Sequence, residues 1–372
     1  MKKEVVIIGG GIAGLTAGIQ LSQNGISVMI IEKNDYPKHK VCGEYVSNEV
    51  ASYLKSLAIP IQDAKPSTID SFEFSNLFGK SVVQKLPLGG FGISRYTLDL
   101  ILYNKAIANG CEIIKDQVVN CEYTDDLFTI TTSQNNSVTA KVVLGAFGKN
   151  ANFEHPSKEK KTQTKAPWLA VKNHHVGFFP DNLVGLYHFK GGYCGISKIE
   201  HERINICYIT KYKSFQRFKN IQKFQEEVLF KNKKLKAVFE NTTPIFDKPL
   251  TISQFSFNHQ KSVSNHILMI GDAAGLIHPL CGNGMAMAIH SAKMASDLST
   301  DFLNKKHNTR ADFEKQYANQ WQLNFKKRLQ FGKGLSTVLE KPILTLLIFQ
   351  LLQLFPFLLQ KIIKQTHGKP IH

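Results

Sequence analysis

Apolar residues in this chain fall into runs of different length and period. Val5-Val6-Ile7-Ile8 is a short continuous run of the kind found in a strand buried on both faces. Glycines interrupt it, and from Leu15 to Asn24 apolar positions recur at helical spacing until Gly25 stops them. Val28 to Ile31 is a second apolar run, ending on Glu32. The pattern predicts strand, helix and strand within about 30 residues. Far downstream, Ile267-Leu268-Met269-Ile270 is another buried-strand run. It leads into a loop marked by glycine and proline, then a helix of small residues from Met285 to Ala292.

Between these segments the period changes. Residues 166–210 alternate apolar and polar positions, as in Leu183–Phe189 and Ile204–Ile209, which predicts antiparallel strands. Residues 212–239 are rich in Lys, Gln and Phe at helical spacing and predict a helix behind that sheet. No internal repeat is visible, and Lys158–Lys165 reads as a solvated basic linker. The expected division is a discontinuous dinucleotide-binding domain over 1–75, 95–165 and 262–335. A substrate domain over 76–94 and 166–261 is inserted into it, and residues 336–372 form a C-terminal helical segment.

The last apolar stretch, Ile343–Leu359, is interrupted by Gln350, Gln353 and Pro356 and is too short to span a bilayer comfortably. Gln350, Gln353, Gln360, Lys361 and Lys364 fall near one helical face. Lys326, Lys327, Arg328, Lys333, Lys341 and Lys369 extend the basic flank. Two readings follow: an in-plane helix at an anionic membrane surface, or a helix pair capping the substrate domain. Both hold together if the helices line the entrance for a greasy substrate.

Composition narrows the partners. The chain has 372 residues, 43% of them hydrophobic, enough for a large core in about two domains. Its formal net charge is +17, but the lysines are scattered and no recognition motif accompanies them, so no nucleic-acid partner is expected. Cys42, Cys111, Cys121, Cys194, Cys207 and Cys281 form no CxxC pair, which fits a reducing compartment. Lys2 and Lys3 precede only four apolar residues, far short of a signal-peptide core, so a cytoplasmic protein is expected, peripheral at the inner membrane face under the membrane reading of the C-terminal segment. The histidines show no metal spacing, and no metal is expected. Nothing in the sequence fixes the oligomeric state.

The glycines carry the chemistry. Gly9, Gly11 and Gly14 form GxGxxG directly after the first strand. Gly9 permits the tight turn, Gly11 lets the backbone approach a pyrophosphate, and Gly14 lets the helix pack on the strand. The helix N-terminus offers free N–H groups and a positive dipole end to phosphates. Glu32 can accept hydrogen bonds from both hydroxyls of an adenosine ribose, and its charge would repel the 2′-phosphate of NADP. This half of the signature says dinucleotide.

The second half is Gly271-Asp272-Ala273-Ala274-Gly275 with His278-Pro279-Leu280-Cys281-Gly282-Asn283-Gly284. It resembles the second FAD fingerprint of the para-hydroxybenzoate hydroxylase superfamily, which includes flavin monooxygenases, geranylgeranyl reductases and flavin halogenases. The resemblance covers roughly residues 1–330. It implies an α/β fold, α+β overall, with a Rossmann-like FAD/NAD(P)-binding domain, an inserted antiparallel substrate sheet and C-terminal helices. It implies FAD held by Gly9, Gly11, Ile12, Ala13, Gly14, Glu32, Lys33, Cys42, Arg95, Val118, Gly271, Asp272, Pro279, Gly282, Gly284 and Met285. In those roles Asp272 binds the ribitol, and the helix starting at Gly284–Met285 faces the ring edge where negative charge develops on reduction.

Ile93-Ser94-Arg95-Tyr96-Thr97-Leu98-Asp99 resembles the family segment whose Arg opens a helix beside the flavin. An Arg95–Asp99 ion pair is the plainer reading. Val142–Gly148 stands at the third fingerprint, where Phe147 replaces the usual Asp; that weakens the expected contact with NAD(P)H as a transient donor. Lys40-Val41-Cys42-Gly43-Glu44 is most similar to the geranylgeranyl reductase branch. The Tyr-x-Trp-x-Phe-Pro motif of those reductases is not kept, and Gly192–Ser197 stands in its place. The Trp-x-Trp-x-Ile-Pro motif of halogenases is absent.

The absence of a second GxGxxG and of a CxxxxC pair excludes two-dinucleotide disulfide reductases. Two reaction classes remain for a hydrophobic small-molecule substrate: reduction of a C=C bond by reduced flavin, or oxygen-dependent hydroxylation of an aromatic or lipid-like compound. A non-catalytic flavin-binding protein is the third alternative. Candidate active-site side chains are Cys42, Glu44, His278 and Cys281. For both thiols an inert packed state is the plainer alternative, and for His278 a loop histidine satisfied by backbone groups.

Overall fold

The computed structural model describes residues 1–148, 168–255, 261–306 and 309–372. Two sheets form two layers. The first has the order Val263–Ser264, Ile267–Met269, Ser137–Gly145, Lys2–Ile8, Val28–Glu32, Glu112–Lys115. The inner neighbours run parallel, with Ile7 opposite Ile30 on one side and Leu144 on the other. Val5, Val6 and Ile7 are fully buried, as a strand covered on both faces requires. The helices Ile12–Gln23, Arg95–Ala108 and Gly284–Leu303 pack together against this layer. A hairpin, Val118–Thr124 with Leu127–Thr132, extends antiparallel from Ser137–Gly145.

The second sheet is mostly antiparallel and has nine strands. Trp168–Gly177, Ile204–Lys211, Gly192–Lys198 and Leu183–Phe189 form its centre. Ser67–Ser75 then pairs parallel with Leu183–Phe189 and antiparallel with Ser81–Gly92, which pairs with Tyr45–Ser47. The expected 1–75 block therefore contributes two strands to the second sheet. Ser67–Ser75 is the parallel neighbour of a strand more than a hundred residues away, a pairing no local pattern encodes.

The helix expected from Leu15 starts earlier, at Ile12, because Gly11 can serve as its N-cap. Residues 212–239 form three short helices, Tyr212–Gln216, Ile221–Glu227 and Lys233–Glu240, instead of one. Lys219 at φ 53° breaks the first junction. The Asn220 side chain caps the second helix by accepting from Lys223 N at 2.9 Å, and Asn232 caps the third. Lys158–Lys165 lies outside the described residues.

The C-terminal segment follows a 30-residue helix, Arg310–Leu339. The chain bends by 109° into Pro342–Leu354 and, after Pro356, forms a last helix, Phe357–Thr366. Phe349, Leu352, Leu359 and Ile363 are buried against Phe74, Leu186 and Ile209 of the second sheet. The capping arrangement is thus present. No single helix among the described residues is long and apolar enough to cross a membrane.

Candidate functional site

The two halves of the glycine signature meet. A cavity of about 460 Å³ opens between the first sheet and the helix Gly284–Leu303. Gly9, Gly11, Ile12, Ala13, Glu32 and Lys33 line one part. Gly271, Asp272, Pro279, Gly282, Gly284 and Met285 line another, with Cys42, Arg95 and Val118 between. Gly14 lies outside the lining, beneath the turn.

The glycines divide their work as the spacing suggests. A Cβ on Gly14 would sit 2.0 Å from the Gly9 carbonyl oxygen, so only hydrogen allows that helix-to-strand approach. A Cβ on Gly9 would sit 2.5 Å from the Ala146 carbonyl oxygen, and Gly9 has φ 106°. A Cβ on Gly11 meets nothing within 4 Å. That open cradle lies at the N-terminus of Ile12–Gln23, which has no side-chain cap, leaving its first N–H groups toward an anion. Beside it, Glu32 accepts from Gly10 N at 2.8 Å and from Asn34 N at 2.9 Å, which fixes its carboxylate in the wall.

At the other end, Gly271 N donates to Ser291 Oγ at 2.8 Å and turns Asp272 into the cavity wall. Asn283 precedes the helix Gly284–Leu303 and is 1% exposed. Its Nδ2 donates to Glu49 Oε2 and to the Thr366 carbonyl oxygen, both at 3.1 Å. Its Oδ1 therefore faces the other way and has no partner among the described residues. An open phosphate cradle, a fixed carboxylate and a buried acceptor awaiting a donor fit FAD. In the sequence Asn283 stands between Gly282 and Gly284, whose glycines carry the recognisable signal.

Arg95 lines the cavity and pairs with Asp99: Nε to Oδ1 at 2.8 Å and Nη2 to Oδ2 at 2.9 Å. Lys40 Nζ joins the same carboxylate at 2.7 Å. Burial alone would raise the Asp99 carboxyl, but the Arg95 guanidinium and the Lys40 ammonium together outweigh it and hold it below the ordinary range. Phe147 lines the cavity where the resemblance places an Asp.

The loop Lys40–Glu44 forms one wall and is gripped from beneath by the second sheet. Lys172 Nζ donates to the Lys40 carbonyl at 3.0 Å, and Asn205 Nδ2 donates to the Cys42 carbonyl at 3.2 Å. Glu44 sits at φ 53°, uncommon for a residue with a side chain, and is completely buried. Its Oε1 accepts from Arg95 N at 2.7 Å and pairs with Lys172; its Oε2 meets His174 Nε2 at 2.7 Å. Burial would raise this carboxyl, yet the His174 hydrogen bond and the Lys172 charge hold it below its usual value. Glu44 is thus kept ionised with both oxygens engaged. The sequence alone does not single out Lys172 and His174, although two polar residues on one otherwise apolar face of this strand are a signal.

The remaining candidates separate. His278 lies outside both cavities, with Nε2 2.9 Å from Ser336 Oγ, and burial pushes its pKa down to about 4. Cys281 lines a second cavity, and burial pushes its thiol up to about 12, so it stays protonated. This second cavity has a volume of about 230 Å³ and is walled by the second sheet and the last three helices. Phe74, Leu186, Ile209, Leu339, Ile348 and Leu359 supply most of its character. Gly43, Tyr45, Pro279 and Gly282 line both cavities, so the two adjoin.

Residues 4–41 match the family model described as FAD dependent oxidoreductase. The chain is 26% identical over 352 residues to a digeranylgeranylglycerophospholipid reductase of Methanococcus aeolicus, covering 91% of this chain and 86% of that protein. It is 24% identical to a 1H-pyrrole-2-carbonyl-[peptidyl-carrier protein] brominase of Pseudoalteromonas luteoviolacea, covering 79% and 76% respectively. Among solved structures, the flavin-dependent brominase Bmp2 superposes with a TM-score of 0.80 at 18% identity, covering 98% of this chain and 93% of that one. The fold is that of FAD-dependent oxidoreductases. The protein is accordingly an FAD-dependent enzyme, and its kinship with the geranylgeranyl reductase branch is supported.

Proposed function

We propose that this enzyme reduces a C=C bond in a hydrophobic, isoprenoid-like substrate. The observation that carries the proposal is the apolar cavity adjoining the nucleotide cavity through Gly43, Tyr45, Pro279 and Gly282. FAD bound in the first cavity supplies the two-electron chemistry. The N-terminus of Ile12–Gln23 holds its pyrophosphate, Glu32 the adenosine ribose and Asp272 the ribitol. The helix starting at Gly284 stabilises charge on the ring, with Asn283 Oδ1 as an acceptor beside it. Glu44 and His278 are read as positioning groups, because their polar atoms are engaged within the protein. Cys42 borders the first cavity and Cys281 the second. A reduced nicotinamide is the proposed transient donor.

Oxygen-dependent hydroxylation is the second reading, with which an FAD-dependent monooxygenase of Nectria sp among the relatives is consistent. One experiment separates the two. The purified flavoprotein is mixed with NADPH or NADH, with and without O₂, over a panel of prenyl lipids and alkylphenols. An anaerobic product gain of two hydrogens is expected. A mass gain of one oxygen only in air would replace this reading with the second.

Peripheral membrane docking completes the proposal. Ile343, Leu347 and Leu354 on the penultimate helix are 77%, 57% and 74% exposed, while Phe349 and Leu352 on its other side are buried. Lys341, Lys361 and Lys364 stand exposed around this ridge. An apolar ridge with a basic margin suits an anionic lipid surface. The helix then has lipid on one side and the substrate cavity on the other.

A further inference from the structure

Glu49 is 1% exposed, and its carboxylate gathers three donors from distant parts of the chain. Oε1 accepts from Arg328 Nη1 at 3.1 Å. Oε2 accepts from Asn283 Nδ2 at 3.1 Å and from Gly368 N. The Glu49 carbonyl oxygen also accepts, from Ile371 N at 2.8 Å, and Ile371 packs against the first hydrophobic core. The residues after the last helix thus close over Glu49 through both its side chain and its backbone. A carboxylate withdrawn from water needs its donors supplied by the protein, and here the tail supplies part of them.

What this cluster holds is the start of the helix Gly284–Leu303. Asn283 precedes that helix and lines the first cavity together with Gly284 and Met285. Asparagine ordinarily caps a helix by accepting from its first N–H groups. Here the Asn283 side chain makes no such bond. Its Nδ2 is drawn instead to Glu49 Oε2 and to the Thr366 carbonyl oxygen, both at 3.1 Å. The first N–H groups of a 20-residue helix therefore stay without a side-chain cap beside the cavity.

We infer that Glu49 is a positioning residue for the flavin end of the cofactor, and that the segment from Thr366 to Ile371 belongs to the same device. By holding the Asn283 amide away from its own helix, Glu49 leaves the helix N-terminus to the charge that the ring takes up on reduction. Docking of the last residues on Glu49 thereby favours reduced over oxidised FAD. The inference rests on the reading of the first cavity as the FAD site with Gly284 and Met285 at the ring. Glutamine is no substitute for Glu49. All three groups that meet its carboxylate are donors, and a glutamine would turn its own NH₂ toward at least one of them.

The test measures the two-electron midpoint potential of the FAD-loaded full chain by spectroelectrochemical titration, together with FAD affinity. Glu49→Gln should cut the preference for reduced over oxidised FAD about tenfold, which lowers the potential by about 30 mV. Gly368→Pro approaches the cluster from the tail. It removes the N–H that meets Glu49, and a Cβ there would lie 2.1 Å from Arg328 Nη2. His367 before it is extended, at φ −104° and ψ 158°, as a residue preceding proline favours. The same fall in potential is expected. A potential raised by Glu49→Gln would mean that the carboxylate acts only as a nearby negative charge. That result, or an unchanged potential in either variant, would overturn the inference and leave the FAD site standing. If Glu49→Gln does not fold, Gly368→Pro, which lies outside every helix and strand, decides by the same criterion. Asp272→Ala binding FAD as tightly as the unaltered protein would overturn the flavin-end reading and this inference together.

Discussion

Gly11 and Gly14 lie three residues apart and serve opposite ends. At Gly14 the missing side chain makes room for the protein's own backbone, 2.0 Å from where a Cβ would stand. At Gly11 it leaves room for something else, since a Cβ there meets nothing. Gly14→Ala should therefore destabilise the fold by about 1–3 kcal/mol as overpacking does, read by urea unfolding. Glu32→Ala and Asp272→Ala should instead unfold like the unaltered protein while binding FAD about tenfold to hundredfold more weakly, the scale of a lost charge-assisted hydrogen bond. Full yellow colour after dialysis of both variants would refute the binding map. Glu44 illustrates how position changes chemistry. Its place in the Cys42-Gly43-Glu44 loop marks it as a candidate acid, but engagement by Arg95 N, Lys172 and His174 makes it the clamp that shapes the loop.

At the level of elements, the strands Trp168–Gly177 and Ile204–Lys211 do more than roof the site. Lys172, His174 and Asn205 turn from them into the wall-forming loop. Their alternation was readable as strand, but which face met which loop was not, because that depends on how the two sheets stack. The penultimate helix, Pro342–Leu354, is amphipathic in an unusual sense: one side is buried against the sheet and cavity, and the other is exposed and still apolar. Leu347→Glu with Ile343→Glu should abolish flotation with anionic liposomes and leave the urea midpoint unchanged, because both side chains are exposed. Binding that survives both substitutions, or its absence in the unaltered protein at low salt, would sink the docking proposal. Deleting everything after Gly334 is a poorer probe of docking. The deletion would also remove Thr366 and Gly368, which hold Asn283 and Glu49.

Across the whole molecule, buried imidazoles set the response to acid. His175, His188, His278 and His290 are each pushed down to about 4 from an ordinary 6.5, chiefly by burial. The unfolded chain therefore binds more protons than the folded one between those values, and stability falls as pH drops through that window. Glu44 and Asp99, held below the ordinary carboxyl range, extend the loss to lower pH. The urea midpoint should drop steadily from pH 7 to pH 5 at constant slope; a flat profile there would mean these histidines are not buried neutral. The same scale separates what sequence could and could not determine. By itself the sequence determined the strand–helix–strand opening, the α/β layer and the residues from Gly9 to Glu32 and Gly271 to Met285, because turn chemistry and periodicity are local. It also exposed Ile343–Leu359 as an apolar segment needing a partner. Only the tertiary structure decided that Ser67–Ser75 joins the second sheet and that Lys172 and His174 clamp Glu44. It alone left Asn283 Oδ1 as a buried acceptor without a partner among the described residues and set the two cavities side by side. These are contacts between residues far apart in the chain, fixed by the stacking of two sheets and the folding back of the last helices, and no local pattern encodes them.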